Sequence, residues 1–161
     1  MSKFYPQIED EVAQQTYTHE FDFSFQDIPA GIAAAAAQVF LLPKVIAGDE
    51  VIELGIRLLA TFQNTADAAF NAVTIDIGDD VSPTTYATAL NIGLTTPIVF
   101  QHIADKNNVY TAPHQLQIRL NSMAAKSLSN LNAGQLWIKW NIFRATSKDK
   151  ALLTPFGTGY T

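Results

Sequence analysis

Apolar and polar residues alternate along most of this chain, and the alternation has the two-residue period of strands rather than the 3.6-residue period of helices. The clearest stretch is Gly134 to Arg144. There Leu136, Ile138, Trp140 and Ile142 fall on one face, and Trp137, Lys139, Asn141 and Phe143 on the other. The first face is apolar throughout and is expected to point into a core. The second is mixed, yet it carries two large aromatics. Such a face predicts a cover over part of it: a loop, a chain terminus or another subunit.

The rest of the chain reads as partners for that strand. Tyr17 to Phe25 places Phe21, Phe23 and Phe25 on one face and Glu20, Asp22 and Ser24 on the other, a half-buried strand. Ala33 to Ala37 would favour helix on propensity alone, but the segment is short and Val39-Phe40-Leu41-Leu42 favours strand. The pattern therefore predicts a strand over about 36–42, preceded by irregular or short helical structure and stopped by Pro43, with a turn at Ala47-Gly48-Asp49. Val51 to Phe62 is a long strand with Ile52, Leu54, Ile56 and Leu58 inward, Glu53 and Arg57 outward, and Gly55 marking a bulge or a close backbone approach. Val73, Ile75 and Ile77 form another inward set, closed by Gly78-Asp79-Asp80. Tyr86 to Leu94 fits either a short helix or a loop with a strand, and Ile98-Val99-Phe100 a short strand. Asp105-Lys106-Asn107-Asn108 reads as a hairpin-like turn. Leu116, Ile118 and Leu120 define another strand, expected to be the antiparallel neighbour of the one at 135–144 across a polar crossover at 122–133. Seven or eight short strands with turn signals between them predict an all-β fold: an antiparallel β-sandwich of jelly-roll type, in one domain. The expected partition is an N-terminal arm at 1–15, the sandwich at 16–145 and a C-terminal arm at 146–161.

Composition adjusts this picture in few places. At 161 residues, 48% hydrophobic and 11% aromatic, the chain is the size of one domain with a proper core. It has no cysteine, so disulfides and thiolate metal sites are excluded. Met1-Ser2-Lys3-Phe4-Tyr5-Pro6 lacks the apolar run of a signal peptide, and the longest apolar stretch, Ile32 to Leu42, is too short for a bilayer span of about 20 residues. A soluble protein made in the cytoplasm, with no membrane partner, is the expectation. Glu9, Asp10, Glu11, Glu20, Asp22 and Asp27, against Lys3 alone, account for the whole net charge of −5. An acidic lead-in argues against nucleic acid as a partner. The C-terminal portion leans basic through Lys126, Lys139, Arg144, Lys148 and Lys150 against Asp149.

Candidate chemistry is sparse. His19, His102 and His114 stand in no ligand spacing, and no His-Glu-x-x-His, P-loop, Gly-x-Ser-x-Gly or Gly-x-Gly-x-x-Gly pattern occurs. Asp76, Asp79 and Asp80 are the best acidic cluster. Their carboxylates would suit a calcium ion, or would cap backbone N–H groups in a turn, and the second is the reading adopted. No catalytic residue, metal or cofactor is expected, and the protein is not expected to be an enzyme. The interaction candidates are Trp137 and Phe143 on the strand face, with Phe4, Tyr5, Phe156 and Tyr160 as aromatic anchors on the arms. A sugar site using Tyr17, Tyr86, Tyr110 and Trp137, beside Asn107 and Asn108, is the alternative.

Four stretches carry a family resemblance: Leu42-Pro43-Lys44-Val45-Ile46-Ala47-Gly48-Asp49, Val73-Thr74-Ile75-Asp76-Ile77-Gly78-Asp79, His114-Gln115-Leu116-Gln117-Ile118-Arg119-Leu120, and Leu131-Asn132-Ala133-Gly134-Gln135-Leu136-Trp137-Ile138. Together, over about residues 20–144, they resemble small jelly-roll virion proteins of tailed bacteriophages, from which the alanine run departs. The resemblance implies a structural protein that decorates or cements a capsid. Its partners would be copies of itself, as a trimer, and the major capsid protein or other virion proteins. Its place would be the virion, assembled in the host cytoplasm. The carbohydrate alternative would be a lectin-like module on a phage tail or fibre.

Overall fold

A computed structural model describes residues 15–93, 101–104, 108–123 and 125–144, with the backbone alone at 15–17, 101–104 and 108. Strands are β1 (Gln15–Ser24), β2 (Gln38–Val45), β3 (Asp49–Gln63), β4 (Thr74–Asp79), β5 (Ala87–Asn91), β6 (Gln101–Ala104), β7 (Asn108–Val109), β8 (His114–Asn121) and β9 (Ala133–Arg144). Helix among the described residues is limited to short 3₁₀ segments at Phe25–Asp27, Ala68–Ala72 and Leu128–Asn130. Two antiparallel sheets result. One has the order β1-β9-β3-β6, with β7 also on β3; the other has the order β2-β8-β4-β5.

The core lies between the sheets, and the predicted alternation builds it. Leu54, Ile56, Leu58, Val73, Ile75, Ile77, Leu116, Ile118, Leu120, Leu136, Ile138, Trp140 and Ile142 are all buried in one cluster. Phe23 joins Phe62 and the half-buried Phe40 and Phe21 in a line of tilted aromatic contacts. Phe25 starts a 3₁₀ turn capped by Ser24 and packs partly buried against the same cluster.

Several expectations need correction. Pro43 does not stop β2 but lies inside it, at a register shift between Leu41 and Lys44. A missing N–H is tolerated there because β2 is an edge strand and the irregularity already interrupts pairing. Ile52 is not an inward residue. The register of β3 against β9 slips between Val51 and Glu53, so Val51 takes the core position and Ile52 is half-buried. A second irregularity in β3, between Leu54 and Gly55 against β6, falls at the glycine marked as a bulge candidate. The turn expected at 105–108 lies, but for the backbone of Asn108, outside the described residues; the strands on either side of it, β6 and β7, both pair antiparallel with β3. Most consequentially, β8 and β9 are not neighbours. They belong to opposite sheets, and their apolar faces meet across the core. The alanine run forms turns, with Ala35 at φ 64° and its N–H on the Lys126 carbonyl at 3.0 Å. The segment 86–94 yields strand β5, and 98–100 lies outside the described residues.

The two ends of the sandwich differ. At one, the loops are stitched together: Ser129 Oγ accepts from Ile32 N at 2.8 Å and Ser127 Oγ donates to Ile32 O at 2.5 Å. Asn64 Nδ2 donates to Asn130 O at 2.6 Å, and Lys126 pairs with Asp67 at 2.5 Å. The other end carries the first and last described residues side by side, since Gln15 and Arg144 are cross-strand partners. The arms predicted at 1–15 and 146–161 lie almost wholly outside the described residues.

Gly78 fixes the loop after β4. A Cβ on it would lie 2.1 Å from the Ser82 carbonyl oxygen and 2.5 Å from the Pro83 carbonyl carbon, both backbone atoms. Gly78→Ala must therefore displace that loop, and chemical denaturation should show a loss of about 1–3 kcal/mol.

Candidate interaction surface

The outer face of the β1-β9-β3 sheet bears the two aromatics singled out from sequence. Trp137 and Phe143 are both half-buried on it. Their surroundings follow from the register. Trp137 stands between Asp22 on β1 and Arg57 on β3, Lys139 between Glu20 and Gly55, and Asn141 between Thr18 and Glu53. Thr18 Oγ1 donates to Asn141 Oδ1 at 2.9 Å, and Asn141 Nδ2 donates to Glu53. Gln135 Nε2 reaches both Asp22 oxygens at 3.3 Å. The face is thus a polar lattice with opposite charges in adjacent rows and Trp137 set within it. Aromatic side chains ringed by polar, partly satisfied groups are the composition of a contact surface between proteins. Phe4, Tyr5, Phe156 and Tyr160, the other interaction candidates, lie outside the described residues.

Sequence reasoning treated Asp49 as a turn residue and missed its main role. Asp49 is fully buried, and its carboxylate takes a bidentate pair of hydrogen bonds from Arg144, Nε to Oδ1 and Nη2 to Oδ2, both at 2.7 Å. Oδ2 also accepts from Ile46 N at 2.8 Å. Burial pushes the Asp49 pKa up, but the hydrogen bonds and charge of Arg144, with the Ile46 N–H, outweigh it and hold the group below its ordinary value. The available signal was an Arg closing a strand, but nothing in the sequence pairs it with an Asp 95 positions away.

A buried polar chain continues from this point. Tyr110 N donates to Asp49 O at 2.8 Å, and Gly48 N donates to Tyr110 O at 2.7 Å. The Tyr110 hydroxyl donates to Asp79 Oδ2 at 3.1 Å and meets the Tyr86 hydroxyl at 2.7 Å. Burial first, then Tyr86 and Asp79, push the Tyr110 phenol far above its ordinary pKa, so it is a fixed neutral group. Tyr86 and Tyr110 are core residues, which removes them as sugar-stacking platforms. Trp137 lies on the outside of the opposite sheet from Tyr86's neighbour β5, and the side chains of Tyr17, Asn107 and Asn108 are outside the description.

The acidic cluster resolves into capping groups. Asp79 Oδ1 accepts from Val81 N at 2.9 Å and Ser82 N at 2.7 Å, as a turn aspartate does. Asp80 Oδ1 meets His114 Nδ1 at 2.9 Å and Gln115 N at 3.3 Å. The His114 hydrogen bond is the main cause holding the Asp80 pKa below its usual value. Asp76 stands apart and bonds Ala89 N at 2.7 Å and Asn121 Nδ2 at 2.8 Å. One ligand atom from each of Asp79, Asp80 and His114 lies within 4.8 Å of the others. Both Asp79 oxygens are nonetheless committed to the fold. The histidines are dispersed: His19 on β1 and His102 on β6, at opposite edges of one sheet, and His114 on the other sheet.

No protein-family model matches the sequence, and no curated protein matches it. Solved structures do resemble the fold. A chain of the cyanophage Pam1 capsid asymmetric unit superposes with a TM-score of 0.57 at 14% identity, over 81% of this chain and 86% of that one. A chain of the acid-stable capsid structure of Helicobacter pylori bacteriophage KHP30 superposes with a TM-score of 0.54 at 12% identity, over 81% of this chain and 89% of that one. At such identities the likeness is one of fold. It covers most of each matched chain, so the shared unit is nearly the whole of chains about the size of this one.

Proposed function

We propose that this protein is a structural component of a tailed-bacteriophage virion, a jelly-roll block that decorates or cements the capsid and acts by binding rather than by catalysis. The observation that carries the reading is the nearly whole-chain likeness to two chains of phage capsid structures at TM-scores of 0.57 and 0.54. The strand orders β1-β9-β3-β6 and β2-β8-β4-β5 support the jelly-roll assignment: once β7 is read as the continuation of β6, two four-stranded antiparallel sheets face each other, and consecutive strands cross between them at every step except the β4–β5 pair. The polar commitments of Asp76, Asp79 and Asp80 support a structural role for them. The partners are other copies of the chain, as a trimer, and the major capsid protein or another virion protein. Contacts run through the face bearing Trp137 and Phe143 and through the terminal arms.

The test is association. Purified protein should have a trimer's mass in solution and should co-sediment with particles of its parent phage. Trp137→Ala with Phe143→Ala should move the trimer toward monomer, with at least a tenfold weaker association, the scale of one lost hot-spot residue. Because both side chains point away from the core, the thermal transition of the monomeric domain should stay within a few degrees of the wild type. A wild type that is monomeric and never sediments with particles would overturn the reading.

A further inference from the structure

β2 pairs with β8 in regular register from Gln38 to Leu41, and the register shifts between Leu41 and Lys44, around Pro43. On its other side β2 has no strand among the described residues. Val39 and Leu41 stand on the outer surface of this sheet, 40% and 67% exposed, while Phe40 packs partly buried against the core and Leu42 is buried. Open strand backbone beside exposed apolar side chains is what a further strand fits. Proline, lysine and irregular register guard natural edges, and β2 has all three only at its exit, at Pro43 and Lys44. Gln38–Leu42 is left unguarded.

Charge decides which strand fits. Between Gln38 and Leu42 the edge carries no charge. The rows behind it are neutral as well: Arg119, beside Val39, is the register partner of Asp76, and Gln117, beside Leu41, is that of Gly78. A second copy of the same strand therefore meets no like charge here. The other edges refuse their own copies. Pairing β1 with itself over most of its length would crowd Glu20 and Asp22 against their counterparts. β5 is interrupted by Ala89 at φ 49°, and β6 and β7 have only four and two residues.

The pattern of β2 also selects a register. Opposed residues of an antiparallel pair share a face, so a two-fold pairing must centre on a residue. Centring on Phe40 sets Val39 against the second copy's Leu41, and Leu41 against its Val39. Pro43 then falls opposite Ala37 and Lys44 opposite Ala36, outside the unguarded stretch, with the two lysines about 27 Å apart along the strands. Centring on Leu41 would draw Pro43 into the ladder, and centring on Val39 would leave Leu41 opposite Ala37 alone. We propose that β2 pairs antiparallel with β2 of a second copy about a two-fold axis at Phe40, joining their β2-β8-β4-β5 sheets into one. The stretch is small beside the roughly 20–30 residues a side of a standard interface, so free copies pair weakly, and copies gathered on a common surface pair well. The edge belongs to the sheet opposite the Trp137 face, and its pairing does not depend on the virion reading.

The absence of cysteine allows a clean test on the full-length protein. Val39→Cys and Leu41→Cys, each a single substitution at an exposed position, are mixed at high concentration under mild oxidation, and the disulfide dimers are told apart by mass. The mixed product joins directly opposed residues. The two like-with-like products join diagonal neighbours, whose α-carbons lie beyond disulfide reach. Leu41→Cys mixed with Val81→Cys, on the exposed β4–β5 loop, sets the rate of random collision. The mixed Val39–Leu41 product should form at least tenfold faster than this control and than either like-with-like product. A rate equal to the control, or a lead for a like-with-like product, would overturn the pairing. Collisional rates in a protein that still sediments with particles would leave the virion reading standing, and register preference without particle binding would count against that reading alone.

Discussion

Trp140→Ala is expected to destabilise the protein by about 3–5 kcal/mol, the usual cost of emptying a buried indole site. Trp140 heads the fully buried side chains and sits at the centre of β9, with β1 and β3 on either side. Its ring meets Tyr86 edge to face, with centroids 5.3 Å apart and planes at 89°. Its Nε1–H finds no hydrogen-bond acceptor among the described residues, so the site is held by packing and the aromatic contact rather than by a polar partner. Trp140→Phe keeps a ring against Tyr86 and forfeits no hydrogen bond, so it should be markedly milder. Urea denaturation of the two variants gives the comparison. A Phe variant as damaged as the Ala variant would mean that the indole nitrogen matters after all. A loss under about 1 kcal/mol for Trp140→Ala would contradict the face assignment of β9.

The second large effect concerns Arg144. Arg144→Met leaves the Asp49 carboxylate buried without its bidentate partner and should cost roughly 3 kcal/mol at neutral pH, the scale of breaking one side of a buried pair. The pH dependence is diagnostic. In the native protein the folded-state pKa of Asp49 lies below its ordinary value of 3.8. The pair's contribution is therefore fully present above the unfolded-state pKa and is lost as pH falls from 3.8 through the folded value. In the variant, burial remains and Arg144 is gone, so protonation of Asp49 relieves the penalty instead of adding one. The stability gap between wild type and variant should be widest near neutrality and should shrink as pH falls from about 5 to about 3. A gap that stays constant over that window would show that Arg144 acts through its aliphatic stem alone.

Much of the core was legible in the sequence, because a strand with one dry face must alternate. The sets in β3, β4, β8 and β9 were identified by that rule, and only Ile52 failed it. There one extra residue changed the parity, a change that side-chain pattern reports only after the register is known. The same limit explains the wrong pairing of β8 with β9. Alternation says which side of a strand is buried; it does not say which strand lies beside it, since both backbone edges look alike whatever the side chains. Pro43 misled because a proline in a central strand would end it, whereas edge position and a bulge remove the conflict. The site was legible in part for similar reasons. Outward aromatics at Trp137 and Phe143 followed from parity, and the capping role of Asp79 followed from its turn. Asp49 with Arg144, and Tyr86 with Tyr110, arise from chain crossings between sheets that leave no local periodicity.

The position of β9 has a consequence for how the chain acquires its structure. Among the described strands β1 hydrogen-bonds to β9 alone, yet β9 is the last of them to be synthesised, and the Thr18–Asn141 contact spans 123 positions of sequence. Until residues 133–144 have left the ribosome, the first sheet has a gap at its centre and β1 has no partner. The other sheet closes earlier, once β8 has entered between β2 and β4. Completion of the first sheet therefore waits on β9, and its rate is governed by closing the longest loop between paired strands among the described residues, which places this domain among slow, high-contact-order folders despite its modest size. A nascent chain arrested before β9 would expose the apolar rows of β1 and β3 for as long as the arrest lasts, and would need to be shielded from its neighbours during that interval.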